Sequence, residues 1–276
     1  LNRPLISTVH STEIGRAQGL YTPDSYLIDG FEWWLTYESK RVIVASNSMK
    51  REIEIHFRLP PEKIDVIPNA IDVERYQKNV NRQAIRNRYG VEDNDKFVLF
   101  IGRLVPHKGV EHMIKAVPHI VREHPETRFI IVGEGWSRGY LESLTASIGC
   151  EDRVHFLGFL PDQKLIELTL SADVLVVPSS YEPFGIVALE GMAAGIPVVA
   201  SNTGGLSEII EHDKTGVLVY PNNPESIAWG INRILSDPTY ANRIIQNAKR
   251  KIIEKYSWNV IAERTVRVYE AVEEKS

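Results

Sequence analysis

The sequence contains a single cysteine, Cys150, among its 276 residues. One thiol cannot form a disulfide within the chain or build a cysteine-rich metal site, so the sequence fits a reducing compartment and we expect a cytoplasmic protein. Long hydrophobic runs are also lacking. The longest, at residues 97–101 and 174–177, have the length of strands, whereas about 20 apolar residues are needed to span a bilayer. The sequence therefore predicts no transmembrane segment, and no secretory leader is visible at its start.

An excess of charge of one sign is absent as well. Lys and Arg number 32 and Asp and Glu number 36, which gives a net charge of −4, and the two signs are interspersed. A broad nucleic-acid surface needs clustered positive charge, so we expect no nucleic-acid partner. Apolar residues make up 43% of the chain and charged residues 25%, which suffices for one large or two ordinary globular domains.

The histidines and aspartates lack the spacing of metal ligands. His107 and His112 are five positions apart, as are His119 and His124, whereas two ligands on one helix face are an i, i+4 pair. The aspartates within residues 93–95 lie in a polar stretch that is typical of a turn. We therefore predict no metal site.

From about residue 63 onward, strand-like and helix-like segments alternate, which is typical of an α/β fold with a doubly wound parallel sheet. The helix expected at 110–122 has its apolar residues on one side, with a period of about 3.6 residues. Because parallel crossovers are right-handed, helices should cover both faces of this sheet. Predicted strands lie at 65–67, 97–101, 128–132, 154–156, 174–177, 197–200 and 217–219, and further helices at 165–171, 186–194 and 226–235.

The first 62 residues predict a separate and incomplete α/β unit, with strands at 5–9 and 41–45 and helices at 26–40 and 48–57. Two strands do not make a stable sheet by themselves. The chain also begins with Leu1 rather than Met, so we expect that the start of this unit lies upstream of Leu1.

The proline-rich connection at 59–72 is the expected boundary between the two units. The predicted organisation is a partial N-terminal unit at 1–62, a Rossmann-like domain at 63–255 and a C-terminal helical segment at 256–276. The last helix, at 258–272, could cross back onto the first unit. A plain helix-turn-helix with the helix at 244–255 is equally compatible.

Two carboxylates, Glu182 and Glu190, lie eight positions apart around a glycine where a helix is expected to begin. Glu182 follows a predicted strand, at the end where open α/β sheets bind ligands. Backbone N–H groups near Gly185 and Ile186 would favour a diphosphate, and carboxylates accept hydrogen bonds from sugar hydroxyls, so the arrangement suits a sugar nucleotide. The alternative is that Glu182 belongs to a surface turn and Glu190 to a solvated helix face.

Two cations follow the strand predicted at 97–101. Gly102 allows the backbone to approach a ligand, and Arg103 and Lys108 emerge from the loop that precedes a helix. Because the amino end of a helix favours anions, cations placed there are explained by a diphosphate between them and the helix. The alternative is that both are ordinary solvated loop residues.

Two further glycine loops follow predicted strands. Gly133-Glu134-Gly135 is not the start of a dinucleotide fingerprint, because Arg138 occupies the position of the third glycine, but this turn could border a nucleotide base. The loop at 203–205 could approach a hexose, or it could only turn the chain.

His10 lies at the carboxyl end of a strand in the first unit. A histidine there could hydrogen-bond a sugar hydroxyl across a cleft. The alternative is a histidine at a strand end whose hydrogen bonds are satisfied within the protein.

Together these features resemble retaining glycosyltransferases of the GT-B fold, family 4, and the resemblance covers nearly the whole chain. The segments at 10–13 and 32–38 further resemble the glycogen and starch synthase-like branch of that family. The motifs that carry the family resemblance are, in chain order, 66–72, 102–109, 182–190 and 204–205.

The resemblance implies a role for each candidate site residue. Arg103 and Lys108 would hold the donor diphosphate and stabilise its charge as the glycosidic bond breaks. Glu182 would bind the transferred hexose, Glu190 the nucleotide ribose, and His10 would contact the sugar from the opposite domain. The residues that would line the pocket with backbone N–H groups are Phe184, Gly185 and Ile186.

The implied activity is that of a hexosyltransferase without a cofactor or divalent metal. Its donor would be an ADP- or UDP-sugar, with glucose the expected hexose, and its acceptor a hydroxyl of a saccharide or glucan. The α-configuration would be retained by a same-face reaction in which the leaving phosphate oxygen assists deprotonation of the acceptor. A full member of the family begins with further strands and a glycine-rich loop, which this sequence lacks.

Two alternatives remain open at the level of the sequence. One is a different enzyme on the same architecture, such as a sugar-nucleotide epimerase or a phosphorylase. The other is a donor-binding fragment that binds nucleotide sugar and transfers nothing.

Overall fold

The computed structural model describes residues 4–273 and contains two sheets, both entirely parallel. The first sheet has three strands in the order β1-β2-β3. Parallel strands need crossover connections, which helices provide here. The elements of this unit are β1 (Ile6–Val9), α1 (Glu13–Ala17), α2 (Pro23–Glu38), β2 (Arg41–Val44), α3 (Asn47–His56), a 3-10 turn (Pro61–Lys63) and β3 (Ile64–Val66).

Side-chain caps explain where the helices of the first unit begin. Thr22 and Ser25 form a reciprocal capping box at the start of α2. At the start of α3, Ser46 accepts a hydrogen bond from the backbone N–H of Met49.

The central strand β2 is buried on both faces, because successive side chains of a strand point to opposite sides. Val42 and Val44 pack in one cluster with Met49 and Ile53 of α3. Ile43 belongs to the cluster on the other face.

The second sheet has six strands in the order β6-β5-β4-β7-β8-β9. The chain fills one half of the sheet outward from β4 and then returns to fill the other half outward from β7. The neighbouring strands β4 and β7 therefore form the topological switch point, where open α/β sheets bind ligands. The strands are β4 (Lys96–Ile101), β5 (Thr127–Val132), β6 (Val154–Gly158), β7 (Val174–Val177), β8 (Val198–Ser201) and β9 (Val217–Val219).

Helices cover both faces of the second sheet, and two separate apolar clusters lie beneath them. The helices of this unit are α4 (Arg82–Arg88), α5 (Val110–Glu123), α6 (Arg138–Ser147), α7 (Asp162–Ser171), α8 (Ile186–Ala194), α9 (Leu206–Ile209), α10 (Pro224–Ser236) and α11 (Pro238–Tyr256). Two 3-10 turns, Val73–Tyr76 and Pro106–Lys108, belong to the same unit.

The predicted α/β class and the doubly wound parallel sheet are confirmed. One strand belongs to a different sheet than expected: β3 pairs with β2 and completes the first sheet. The boundary expected after residue 62 therefore falls inside the first unit. Because β3 has only three residues, its sequence carries no periodic signal that could assign it to a sheet.

The last helix, α12 (Trp258–Glu273), lies against the first sheet. Its Ile261 packs with Ile43 and Ile67, and the Arg264 guanidinium donates to the backbone oxygen of Val66 at 2.7 Å. The break before α12 occurs where Ser257 forms a parallel bridge with Ile71. The helical segment thus returns from the second unit to the first. Residues 274–276 of the predicted segment lie outside the described residues.

None of the helices within residues 4–273 combines the length and the apolar content needed to cross a membrane.

Candidate functional site

A cavity of about 210 Å³ lies between the two units, at the carboxyl ends of β4 and β7. Its walls come from the loops after β1, β4 and β7, from α1 and the start of α8, and from the connection between the units. The lining residues are His10, Ser11, Arg16, Asn69, Arg103, His107, Lys108, Tyr181, Glu182, Pro183, Phe184, Gly185 and Ile186.

This cavity gathers many of the candidate residues chosen from the sequence. They approach it from three separate loops, which meet because β4 and β7 are neighbours at the switch point and β1 faces them. The candidate residues in the lining are His10, Arg103, Lys108, Glu182, Phe184, Gly185 and Ile186.

Lys108 and Glu182 form an ion pair on one wall of the cavity. The Lys108 Nζ donates to Glu182 Oε2 at 2.7 Å, and the Ser179 hydroxyl donates to the same oxygen at 3.2 Å. The side chains of Lys108 and Glu182 are only 19% and 14% exposed, so water screens this pair weakly. The carboxylate keeps a second oxygen that can accept further hydrogen bonds.

Two cations, Lys108 and Arg103, act on His107, and the Glu182 carboxylate partly opposes them. Burial, followed by the positive charges of Lys108 and Arg103, lowers the pKa of the His107 imidazole below its ordinary value. The imidazole is therefore neutral at pH 7. The Arg103 side chain is exposed, whereas Lys108 is held by its ion pair with Glu182.

The amino end of α8 adds partial positive charge to the same wall. The first N–H groups of a helix have no partner within it, and the N-cap residue of α8 is Gly185, which has no side chain to cap them. Together with the helix dipole, such an end favours an anion, and a phosphate in particular. Cations and helix end thus face one cavity.

Glu190 lies outside this cavity, one helical turn beyond Ile186, the first residue of α8. Its carboxylate is beside the Tyr76 hydroxyl, and burial raises the pKa of the Glu190 carboxyl. The predicted contact of Glu190 with a ribose stays a prediction.

Gly133 and Gly135 are also outside the cavity lining, and close backbone packing explains both. A Cβ added to Gly133 would lie 1.8 Å from the backbone oxygen of Gly102, and one added to Gly135 would lie 2.2 Å from that of Leu104. The neighbouring Glu134 forms an ion pair with Arg138 at 2.9 Å. Close packing against the neighbouring loop is therefore sufficient to explain both glycines. The predicted position of this turn beside a nucleotide base stays a prediction.

Several lining residues have no role predicted from the sequence. Arg16 lies on α1 and donates to the backbone oxygen of Ser11 at 3.2 Å and to its hydroxyl at 2.7 Å. Asn69 comes from the connection and Tyr181 from the loop that carries Glu182. Asn69 lies within the motif at 66–72, which indicated the family but no role for this side chain. Arg16 and Tyr181 carry no local signal, because they reach the cavity through contacts between distant parts of the chain.

Within residues 4–273, no three His, Cys, Asp or Glu side chains group closely enough to hold a metal ion.

Two family sequence models match the chain. The family described as Glycosyl transferases group 1 matches residues 81–251, and the one described as Glycosyltransferase Family 4 matches residues 1–75.

Curated relatives extend this similarity over nearly the whole chain. An uncharacterised glycosyltransferase of Methanocaldococcus jannaschii is 48% identical over 269 residues, which are 96% of this chain and 69% of the relative. Glycogen synthase of Mycobacterium tuberculosis is 37% identical over 267 residues, 96% of this chain and 63% of that enzyme. The chain therefore spans about two thirds of the length of these relatives.

Solved structures confirm the GT-B architecture. The Anabaena protein HepE, in a crystal structure of its complex with UDP-glucose, superposes with a TM-score of 0.87 at 26% identity, over 98% of this chain and 73% of HepE. Sucrose-phosphate synthase of Thermosynechococcus elongatus gives a TM-score of 0.83 at 28% identity, over 98% of this chain and 68% of the synthase.

Proposed function

Because the chain belongs to the Glycosyl transferases group 1 family, we propose that it transfers a hexose, glucose in the first instance, from a nucleoside diphosphate sugar to a saccharide hydroxyl. The observation that carries this proposal is the convergence of Arg103, Lys108 and Glu182 with the amino end of α8 on one cavity at the switch point. This combination offers cations and N–H groups to a diphosphate and a carboxylate to sugar hydroxyls.

Catalysis in this proposal is electrostatic. As the glycosidic bond breaks, negative charge develops on the departing diphosphate, and Arg103, Lys108 and the first N–H groups of α8 stabilise it. Such donors act more strongly in a closed cleft than in water, because they are already oriented and the local dielectric is low.

We further propose that the α-configuration is retained. The leaving phosphate oxygen would accept the acceptor's proton on the same face of the sugar, while the bond from the acceptor oxygen to the anomeric carbon forms. His10 would contact the hexose from the first unit. Support for glucose comes from two relatives, one described as a glycogen synthase and one crystallised with UDP-glucose.

The decisive test is release of nucleoside diphosphate from a panel of ADP- and UDP-hexoses, with and without a glucan primer. We expect release with a hexose donor, increased by the primer, and an α-linked product by NMR. Titration calorimetry with the same donors separates binding from transfer. Tight donor binding without any product would favour the donor-binding alternative, and absence of both would contradict the proposal.

A further inference from the structure

Tyr181 reaches from the second unit into the first. It directly precedes Glu182 in the loop after β7, and its hydroxyl donates to Oε1 of Glu52 on α3 at 3.0 Å. Its phenol is largely buried, and burial and the Glu52 carboxylate both raise the pKa of Tyr181, so the hydroxyl keeps its proton and remains a donor.

The same oxygen of Glu52 serves the first unit. Oε1 also accepts a hydrogen bond from the hydroxyl of Thr12. Thr12 is fully buried, and it caps α1 by accepting from the Gly15 N–H at 3.1 Å. One carboxylate oxygen thus joins α1, α3 and the loop of Glu182.

Gly15 makes room for this contact. A Cβ built on Gly15 would lie 2.0 Å from the Tyr181 hydroxyl oxygen. Gly15 lies inside α1 without a positive φ, so the helix itself would favour alanine at this position. The glycine is therefore explained by the Tyr181 ring and not by the helix.

A second contact holds the same loop on the other side of Glu182. The Ser46 hydroxyl, which is buried, donates to the backbone oxygen of Pro183 at 2.6 Å. Glu182 consequently lies between two anchored neighbours, Tyr181 held by α3 and Pro183 held by its N-cap residue, and its carboxylate is directed at Lys108.

We propose that Glu52 is a positioning residue: through Tyr181 it holds the loop that presents Glu182 to the donor sugar. This inference rests on the function proposed above. It predicts a larger loss in the chemical step than in donor binding, because Arg103 and Lys108, two of the groups that would hold the diphosphate, come from the loop after β4 and not from the loop that Tyr181 anchors. A displacement of about 1 Å at a reacting centre can cost up to about 100-fold in rate.

The first experiment compares Glu52→Ala, Glu52→Gln and the matched control Glu54→Ala in steady-state kinetics with the hexose donor. Glu54 lies on the same helix, and its carboxylate makes an ion pair with Lys50 at 3.8 Å. We expect Glu52→Ala to lower kcat at least about tenfold with KM for the donor changed less than about threefold. Glu52→Gln should restore most of kcat, because its amide oxygen can accept from both hydroxyls.

The second experiment is a double-mutant cycle of Glu52→Ala with Tyr181→Phe. If Glu52 acts through Tyr181, the double variant is no slower than the slower single variant. Gly15→Ala adds an independent probe: it should lower kcat in the wild-type background and have no further effect in a Tyr181→Ala background.

The outcomes separate this inference from the proposed function. An active wild type whose Glu52→Ala variant keeps full kcat, or whose cycle is additive, would overturn the inference alone. A lower kcat in Glu52→Ala that Glu52→Gln does not restore, with equal unfolding temperatures, would also overturn it. A wild type that neither binds nor turns over a donor contradicts the proposed function itself.

Discussion

The Lys108 ammonium lies 2.7 Å from the Glu182 carboxylate, across the switch point between β4 and β7. The two residues are 74 positions apart in the chain, and each comes from a different loop of the cavity. A diphosphate near Lys108 and a hexose near Glu182 would therefore be neighbours, as they are in a sugar nucleotide.

Replacement of Lys108 by alanine should depress transfer strongly. We expect kcat to fall by about 100-fold or more, because an oriented cation that faces developing phosphate charge is removed. The check is nucleoside diphosphate release at saturating donor, with circular dichroism to show that the fold is intact. Lys115→Ala is the matched control, since Lys115 is exposed and pairs with Glu111 on α5. A folded Lys108→Ala variant with near-normal turnover would refute the assigned role.

The sequence predicted the elements that carry the site well. The strand before Glu182, the start of α8 and the one-sided helix α5 all have clear local signals, and the structure has them at the expected positions. The meeting of residues 102–109 with residues 182–186 could also be expected, because parallel strands bring their carboxyl ends to one edge.

Contacts between the units could not be predicted in this way. The bond from Tyr181 to Glu52 joins residues 129 positions apart, and neither residue has a pattern that distinguishes it from ordinary loop or helix positions. Likewise, the glycines at 133 and 135 indicated a ligand turn, while the structure explains them by the close backbone of the neighbouring loop. A glycine in the sequence can show that the backbone approaches another group closely, but it does not show whether that group is a ligand or another part of the chain.

Glu190 offers a test that combines a protein change with a donor change. If its carboxylate binds the ribose, Glu190→Ala should raise KM for the donor by about tenfold, the scale of one lost hydrogen bond to a charged group. A 2′-deoxy or 3′-deoxy donor should bind more weakly than the ribose donor to the wild type and equally to Glu190→Ala. Tyr76→Phe is the control for the structural role of the pair, because it removes the hydroxyl beside Glu190 and leaves the carboxylate in place. Unchanged discrimination in Glu190→Ala would show that another group reads the ribose.

Donor binding should be linked to protonation of His107. Burial and the charges of Lys108 and Arg103 hold the pKa of His107 below its ordinary value of 6.5, and a bound diphosphate would offset those charges and raise it. A pKa that is higher in the complex means proton uptake on binding, so donor affinity should increase as the pH falls through the region near and below 6.5. Calorimetry in buffers of different ionisation enthalpy measures this uptake. His107→Gln should abolish it, whereas His119→Gln, outside the cavity, should not; equal uptake in all three proteins would contradict the linkage.

Glu208 of α9 should hold the two units together through the amino end of α3. Its carboxylate accepts from the backbone N–H groups of Asn47 and Ser48 at 2.9 and 2.8 Å, while Ser46 caps the next N–H, that of Met49. The first helical donors of α3 are thus satisfied partly from the other unit, and this end of the helix attracts negative charge.

Glu208→Ala should lower the free energy of unfolding by about 1 to 2 kcal/mol, as the loss of a helix cap does, and Glu208→Gln by less, because its amide oxygen still accepts. Urea denaturation measures both, and small-angle scattering should show a wider distribution of distances between the units in Glu208→Ala only. If Glu208→Ala keeps the wild-type stability and scattering curve, the helix end is satisfied by water and the orientation of the units depends on α12 and on the Tyr181 contact instead.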